Sequence, residues 1–204
     1  MKITWYGHSC FLVETKGGSV VFDPYSPGSV PGLTLPPLSA DAVICSHEHR
    51  DHCYSEAVTL SGRGASLNLR QIDTWHDERS GCLRGSNRIT VLESEDLRLA
   101  HLGDLGHMLS PEQRDALGPV DILLIPVGGY YTIDAATAAK LAEVVGARIT
   151  VPMHYRGEGF GYDVISTADE FLRRSGKVIR LDSNVLEPER IPGRATVVLR
   201  CPVD

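Results

Sequence analysis

The chain has 204 residues, 42% hydrophobic and 23% charged, the composition of an ordinary folded protein, and one domain over residues 1–204 is its simplest organisation. A formal charge of -6 and a pI near 5.7 argue against a protein that lives on a nucleic-acid backbone, because phosphate binding is driven by clustered Lys and Arg. A short anionic substrate stays open, since bound divalent cations would make a site locally positive.

The opening Met1-Lys2-Ile3-Thr4-Trp5-Tyr6 reads as a strand and not as a charged-then-apolar leader. No apolar run approaches the roughly 20 residues that cross a bilayer, so no membrane partner is expected. The five cysteines (Cys10, Cys45, Cys53, Cys82, Cys201) are odd in number and contain no C-x-x-C. Neither a disulfide scaffold nor a zinc ribbon is expected from them, and a reducing cytoplasm is the expected compartment.

In chain order, short β-rich runs bounded by Gly, Pro or Asp dominate the first half: Ile3 to Tyr6, Phe11 to Thr15, Ser19 to Phe22, Ala42 to Cys45, Arg88 to Leu92 and Leu97 to Leu102. The proline-rich stretch Ser26 to Ser39 and the segment Ser61 to Ser66 read as surface loops. Pro111 to Leu117 fits a short helix with proline in its first turn. Asp121 to Val127 is a continuous apolar run typical of a buried strand. A helix from Ala135 to Val145, capped by Asp134 and ended by Gly146, and a strand Arg148 to Met153 complete a β-α-β unit. Thr167-Ala-Asp-Glu170 has capping-box spacing and opens a helix through Arg174, which Gly176 closes. Strands follow at Lys177 to Leu181 and Ala195 to Arg200. Strands with helices set outside them imply a layered α/β architecture.

The chemistry concentrates in His47-Glu48-His49-Arg50-Asp51-His52. His47 and His49 alternate by two at the end of an apolar run, so an extended backbone would project both imidazoles to one side, as joint ligation of one metal requires. Asp51 and His52 follow in a turn leading into an expected helix, and point to a neighbouring position. Four ligand-type residues within six positions, placed just after a buried strand, predict a metal site.

The pattern resembles the metallo-β-lactamase superfamily, whose signature H-x-H-x-D-H stands here as His47-x-His49-x-Asp51-His52. The resemblance covers nearly the whole chain. It implies a four-layered αββα sandwich, two mixed β-sheets with helices on the outer faces, and three further ligands. A third histidine for the first metal matches His76, with His101 as its rival. An acidic bridge matches Asp104, and a last histidine for the second metal matches His154. Asp104 and His154 also follow apolar strands, as His47 does, and strand ends are where open α/β sheets gather a site. The resemblance thus implies one site of His47, His49 and His76 and another of Asp51, His52 and His154, with Asp104 between. Zn²⁺ suits these donors, with Mn²⁺ or Fe²⁺ as alternatives. The diiron flavoproteins of the superfamily carry an acidic residue where this chain has His49, which disfavours redox chemistry.

A finer resemblance, to the short branch of ascorbate-6-phosphate lactonase-like and related metal-dependent hydrolases, rests on Gly7-His8-Ser9-Cys10-Phe11, Asp23-Pro24-Tyr25, His101 to His107, and Pro126 to Gly129 with Thr132. This chain lacks the long insertion of some lactonase-type relatives. The resemblance implies a hydrolase in which a metal-bridging hydroxide attacks a small-molecule ester, lactone or phosphodiester. Asp51 would orient that hydroxide, and His8 would position substrate or protonate a leaving group. Asp23 is read either as an outer carboxylate fixing a ligand tautomer or as a turn former before Pro24. His101 and His107 are read as supporting or structural, and Tyr130, Tyr131 and Tyr155 as possible cleft walls. The expected partner is a small-molecule substrate, with a homo-oligomer left open. The competing functions are a phosphodiesterase or nuclease of the same superfamily and a non-catalytic metal- or ligand-binding member.

Overall fold

The apolar runs become strands that assemble into two mixed sheets laid face to face. A computed structural model describes residues 1–202 of the chain. Its elements are β1 (Lys2–Trp5), β2 (Phe11–Thr15), β3 (Gly18–Phe22), β4 (Leu38–Ala40), β5 (Ala42–Ile44), β6 (Val58–Leu60), β7 (Asn68–Trp75), β8 (Ser86–Ser94), β9 (Leu97–His101), α1 (Pro111–Leu117), β10 (Ile122–Pro126), α2 (Ala135–Val145), β11 (Ile149–Met153), α3 (Asp169–Arg174), β12 (Val178–Arg180), β13 (Val185–Leu186) and β14 (Ala195–Val198).

The first sheet runs β13-β1-β2-β3-β5 and the second β12-β14-β11-β10-β9-β8-β7, with β4 and β6 forming a separate parallel ribbon. Two facts of pairing decide where a site can form. In the first sheet β1 and β3 each run antiparallel to β2, and β5 runs parallel to β3. The carboxyl ends of β1, β3 and β5 therefore share one rim. In the second sheet β9, β10 and β11 are parallel, and β7 returns to that direction through antiparallel β8, so these four also end together.

Alternation along the first sheet sends Ile3, Trp5, Phe11, Val13, Val20 and Phe22 inward, where they join Val91, Leu99, Ile122, Leu124, Ile149 and Val151 of the second sheet in one apolar cluster. The opposite face of the first sheet buries Cys10 and Val21 under Tyr25, Val30, Leu33 and the β4–β6 ribbon. That outer layer is therefore built mostly of proline-rich loop, whereas α2 packs on β10 and α3 on α2.

The caps explain two of the helices as the sequence predicts. Ser110 and Gln113 form a capping box that spans Pro111, and Asp134 accepts the Thr137 N–H at 2.8 Å while Gly146 ends α2 at φ 70°. The third helix differs: it starts at Asp169 without a capping box, because Glu170 is held by Arg173 and Arg174 and Thr167 turns to Asp169. The helix expected after His52 is also absent. Ser55–Ala57 form a single 3₁₀ turn that leads straight into β6, whose pairing with β4 leaves no length for an α-helix.

Candidate metal centre

The candidate side chains follow strand ends on the shared rim, within three residues for all but His49, Asp51 and His52, which continue the loop after β5. His8 follows β1, Asp23 follows β3, and His47 to His52 follow β5; from the second sheet, His76 follows β7, Asp104 follows β9 and His154 follows β11. Three of these, His8, Asp23 and His154, hold positive φ values of 50°, 45° and 52°. Non-glycine residues are strained there, and such strain persists where the surrounding structure fixes it.

The cluster has two lobes. His47, His49 and His76 bring three ring nitrogens within 4.8 Å of one another, and His8, Asp51, His52 and His154 do the same with their own donors. Asp104 lies between, its Oδ2 3.2 Å from His52 Nε2, 3.3 Å from His76 Nε2 and 3.1 Å from His154 Nε2. The structure thus brings together all seven residues expected to bind metal, and adds His8, whose Nε2 is 3.2 Å from His52 Nε2 and 3.4 Å from Asp51 Oδ2.

Outward-facing hydrogen bonds set the tautomers. Asp23 is the hub: Oδ1 accepts the Ser46 N–H at 2.7 Å, and Oδ2 accepts the Ser46 hydroxyl at 2.7 Å and His52 Nδ1–H at 2.8 Å. With its proton on Asp23, Ser46 Oγ accepts His47 Nδ1–H at 2.9 Å. His76 Nδ1–H donates to the Tyr131 carbonyl at 3.1 Å. The Nε2 atoms of His47, His52 and His76 are thereby turned inward.

Buried polar atoms almost always find partners. Here His47 Nε2, Asp104 Oδ1, and both ring nitrogens of His154 are buried with no hydrogen-bond partner among the described residues. Orphaned lone pairs converging on one cavity fit a divalent cation and little else.

The electrostatics agree. Burial pushes the His8 and His47 imidazoles down to about 3 and lowers His76 as well, so all three present neutral nitrogen. Burial alone would lower His52, but the Asp104 and Asp23 carboxylates raise it well above the usual histidine range. Burial would raise Asp104, yet His154 and His52 hold it well below the carboxylate range. Burial would likewise raise Asp51, which a hydrogen bond from His8 and the charge on His52 keep strongly depressed.

Several readings from the sequence change. His47 and His49 lie in a bend beyond β5, not on an extended strand, and their rings meet edge-on at 4.5 Å through that bend. His101, the rival of His76, is in the core: Nε2–H donates to the Ser9 carbonyl at 2.9 Å, Nδ1 accepts the Gly103 N–H, and the ring stacks 5.2 Å from Phe22. His107 is tied up by the Trp75 N–H and the Met108 carbonyl. Tyr155 packs on Trp5 and Phe160 in the core and does not line a cleft. The cysteines do form one bridge, Cys45–Cys53, with Cα atoms 5.3 Å apart, which closes the segment carrying His47 to His52. Five scattered cysteines hid it because a single staple has no framework spacing.

Sequence reasoning missed Tyr162, whose single hydroxyl hydrogen is shared between the Ser29 carbonyl at 2.6 Å and Asp51 Oδ2 at 3.1 Å. It also missed Asp77, whose carboxylate accepts backbone N–H groups from Arg79, Gly81, Leu83 and Arg84 and so folds the loop after His76. An Asp followed by Ser-Gly from three residues on is the available signal.

A buried histidine and carboxylate cluster at one rim of a two-sheet sandwich defines a metal-dependent hydrolase of the metallo-β-lactamase superfamily. The beta-lactamase superfamily domain model matches residues 2–154, a span that runs from β1 to His154, and the chain belongs to that family. It is 32% identical to a UPF0173 protein of Pyrococcus abyssi over 79% of this chain and 86% of the relative. It is 28% identical to a UPF0173 metal-dependent hydrolase of Carboxydothermus hydrogenoformans over 92% of this chain and 97% of the relative. A crystal structure of a metallo-β-lactamase superfamily protein from Thermotoga maritima, put forward as a Zn-dependent hydrolase, superposes with a TM-score of 0.78 at 33% identity over 97% of each chain. Among the described residues no helix is long and apolar enough to cross a membrane.

Proposed function

We propose that the protein is a binuclear hydrolase of small-molecule esters, lactones or phosphodiesters, with His47, His49 and His76 holding one divalent ion, Asp51, His52 and His154 the other, and Asp104 shared. The observation that carries this is Asp104 Oδ2, placed 3.1 to 3.3 Å from imidazole nitrogens of both lobes. Five imidazoles with two carboxylates favour Zn²⁺, with Mn²⁺ or Fe²⁺ able to substitute. Such ions, when bound, supply Lewis acidity and bring the pKa of water toward neutrality.

The remaining roles belong to the chain. Asp23 and Ser46 fix the ligand tautomers, and the Tyr131 carbonyl fixes His76. Asp51, with its carboxyl held so low, is a poor base; it accepts a hydrogen bond from an incoming water and orients it, while Tyr162 restrains its rotation. The exposed side of the cluster is marked by His49, the one exposed donor, which is where a small substrate has access. The acidic net charge speaks against long nucleic acid as the substrate.

Metal analysis after anaerobic purification should return close to two equivalents per chain, and metal-replete protein should turn over at least one of three probes: a lactone series, p-nitrophenyl esters, or bis-p-nitrophenyl phosphate. Less than one tightly held equivalent, or no turnover of any probe when metal-replete, overturns the proposal.

A further inference from the structure

We propose that His8 is a metal donor and not a proton donor, so that one lobe offers five protein donors (His8, Asp51, His52, His154 and Asp104) and the other offers four (His47, His49, His76 and Asp104). This rests on the binuclear reading above. It makes the two lobes unequal: the first is the tight site, and the second is the side left open to substrate.

Distance is the first argument. Adjacent donors around a four- or five-coordinate zinc, each about 2.0–2.1 Å from the ion, sit roughly 2.9–3.6 Å from one another. His8 Nε2 is 3.2 Å from His52 Nε2 and 3.4 Å from Asp51 Oδ2. Its nitrogen also lies within 4.8 Å of the His154 donor. His52 Nε2 and His154 Nε2 are 3.2 and 3.1 Å from Asp104 Oδ2. His8, Asp51, His52 and His154 thus form one donor group, which Asp104 meets through His52 and His154.

Direction is the second. His52 donates Nδ1–H to Asp23, so Nε2 is the ring atom it turns to the cavity. Asp104 Oδ2 and His8 Nε2 each lie 3.2 Å from that atom.

Access and rigidity are the third. The His8 side chain has no solvent exposure, whereas Asp51 keeps 20%. A group that protonates a leaving group must reach the substrate, and His8 is sealed behind its neighbours. Its carbonyl accepts the Trp5 indole N–H at 3.1 Å and the His154 N–H at 3.2 Å, and its ring lies 4.1 Å from the His154 ring. Two strained residues, His8 at φ 50° and His154 at φ 52°, are thus locked together on the same cavity. Such fixed geometry suits a ligand; a proton shuttle needs freedom to swing.

The test is metal titration of the metal-free protein, with Co²⁺ followed by its d–d absorption and Zn²⁺ by chelator competition. Wild type should fill in two unequal steps, the first giving the weak absorption of a five-donor site. The informative variant is His8→Asn, because asparagine tolerates a positive φ and keeps the turn, while its shorter amide stops short of the position of Nε2. The tight step should weaken at least tenfold and the other should stay within threefold; His8→Ala should do the same. Both steps unchanged within twofold in a folded His8→Asn protein, with turnover lost, would make His8 a proton donor and overturn the assignment while leaving the binuclear reading intact. Failure of wild type to bind metal at all would remove both. Should neither variant fold, a wild-type first equivalent with the intense spectrum of a four-donor site overturns the assignment.

Discussion

Replacing Asp23 tests the network beneath the centre without touching a proposed ligand. The residue is 1% exposed and accepts three hydrogen bonds, from the Ser46 N–H, the Ser46 hydroxyl and His52 Nδ1–H, at 2.7, 2.7 and 2.8 Å. Asp23→Ala leaves three buried donors without an acceptor, at about 1–3 kcal/mol each. Because neighbouring losses are not additive, the expected cost is about 3–6 kcal/mol, a large part of a stability of order 5–15 kcal/mol. Asp23→Asn keeps the shape but offers His52 an amide, and should weaken metal binding about 10–100-fold through the wrong His52 orientation. The assay pairs urea unfolding of the metal-free protein with chelator competition. Acid should reproduce part of the loss. Burial would raise the Asp23 carboxyl, but His101 and then His52 hold it below its usual value. A depressed folded-state pKa stabilises above the unfolded pKa near ~4, and that stabilisation is lost as pH falls through the folded value. If Asp23→Ala unfolds within 1 kcal/mol of wild type and Asp23→Asn binds metal within threefold, the hub does not exist.

Two further outcomes follow from the same geometry. A Cβ on Gly106 would fall against the backbone of His76 and Asp77, so Gly106→Ala should cost about 3 kcal/mol and displace His76, reducing metal stoichiometry; an unchanged melting curve with full metal content would contradict this. Closing the nine-residue segment from Cys45 to Cys53 should contribute about 2.5 kcal/mol by loop entropy, so the urea midpoint should drop on treatment with excess dithiol, and thiol titration of the denatured, unreduced chain should count three thiols, Cys10, Cys82 and Cys201. Five titrated thiols, or a midpoint indifferent to dithiol, would deny the staple.

What the sequence reveals depends on whether the signal is local. His47 to His52 are legible because four donors in six positions have no structural use as a group. The parallel strands β10 and β11 and the helix α2 are legible because buried strands read as continuous apolar runs and Asp134 and Gly146 punctuate the helix. The edge strand β7 escapes notice because it is half solvated: of Asn68–Trp75, only Ile72 and Thr74 are buried, and the rest, Leu69 and Trp75 apart, is polar or charged. His76 therefore carries no local sign that it directly follows a strand. The choice between His76 and His101 is not local either. His76 directly follows β7 and His101 is the last residue of β9, and only sheet pairing puts one ring at the rim and packs the other against Phe22. Tyr162 is silent in sequence because its contact with Asp51 spans 111 residues.

The register that gathers the site also ties metal binding to folding. His8, Asp23 and His47 to His52 come from strands of the first sheet, and His76, Asp104 and His154 from the second, so each proposed ion would draw ligands from both. A cation bound only by the assembled pair of sheets stabilises by RT ln(1 + [L]/Kd), about 4 kcal/mol at a thousandfold excess over Kd. Without it, the lone pairs of His47, His154 and Asp104 stay buried and unpaired, and His52 must take up a proton between Asp23 and Asp104. The metal-free protein therefore carries its strain at the interface between the sheets. The rim that makes the site reactive is, on this account, the part of the fold most dependent on being filled.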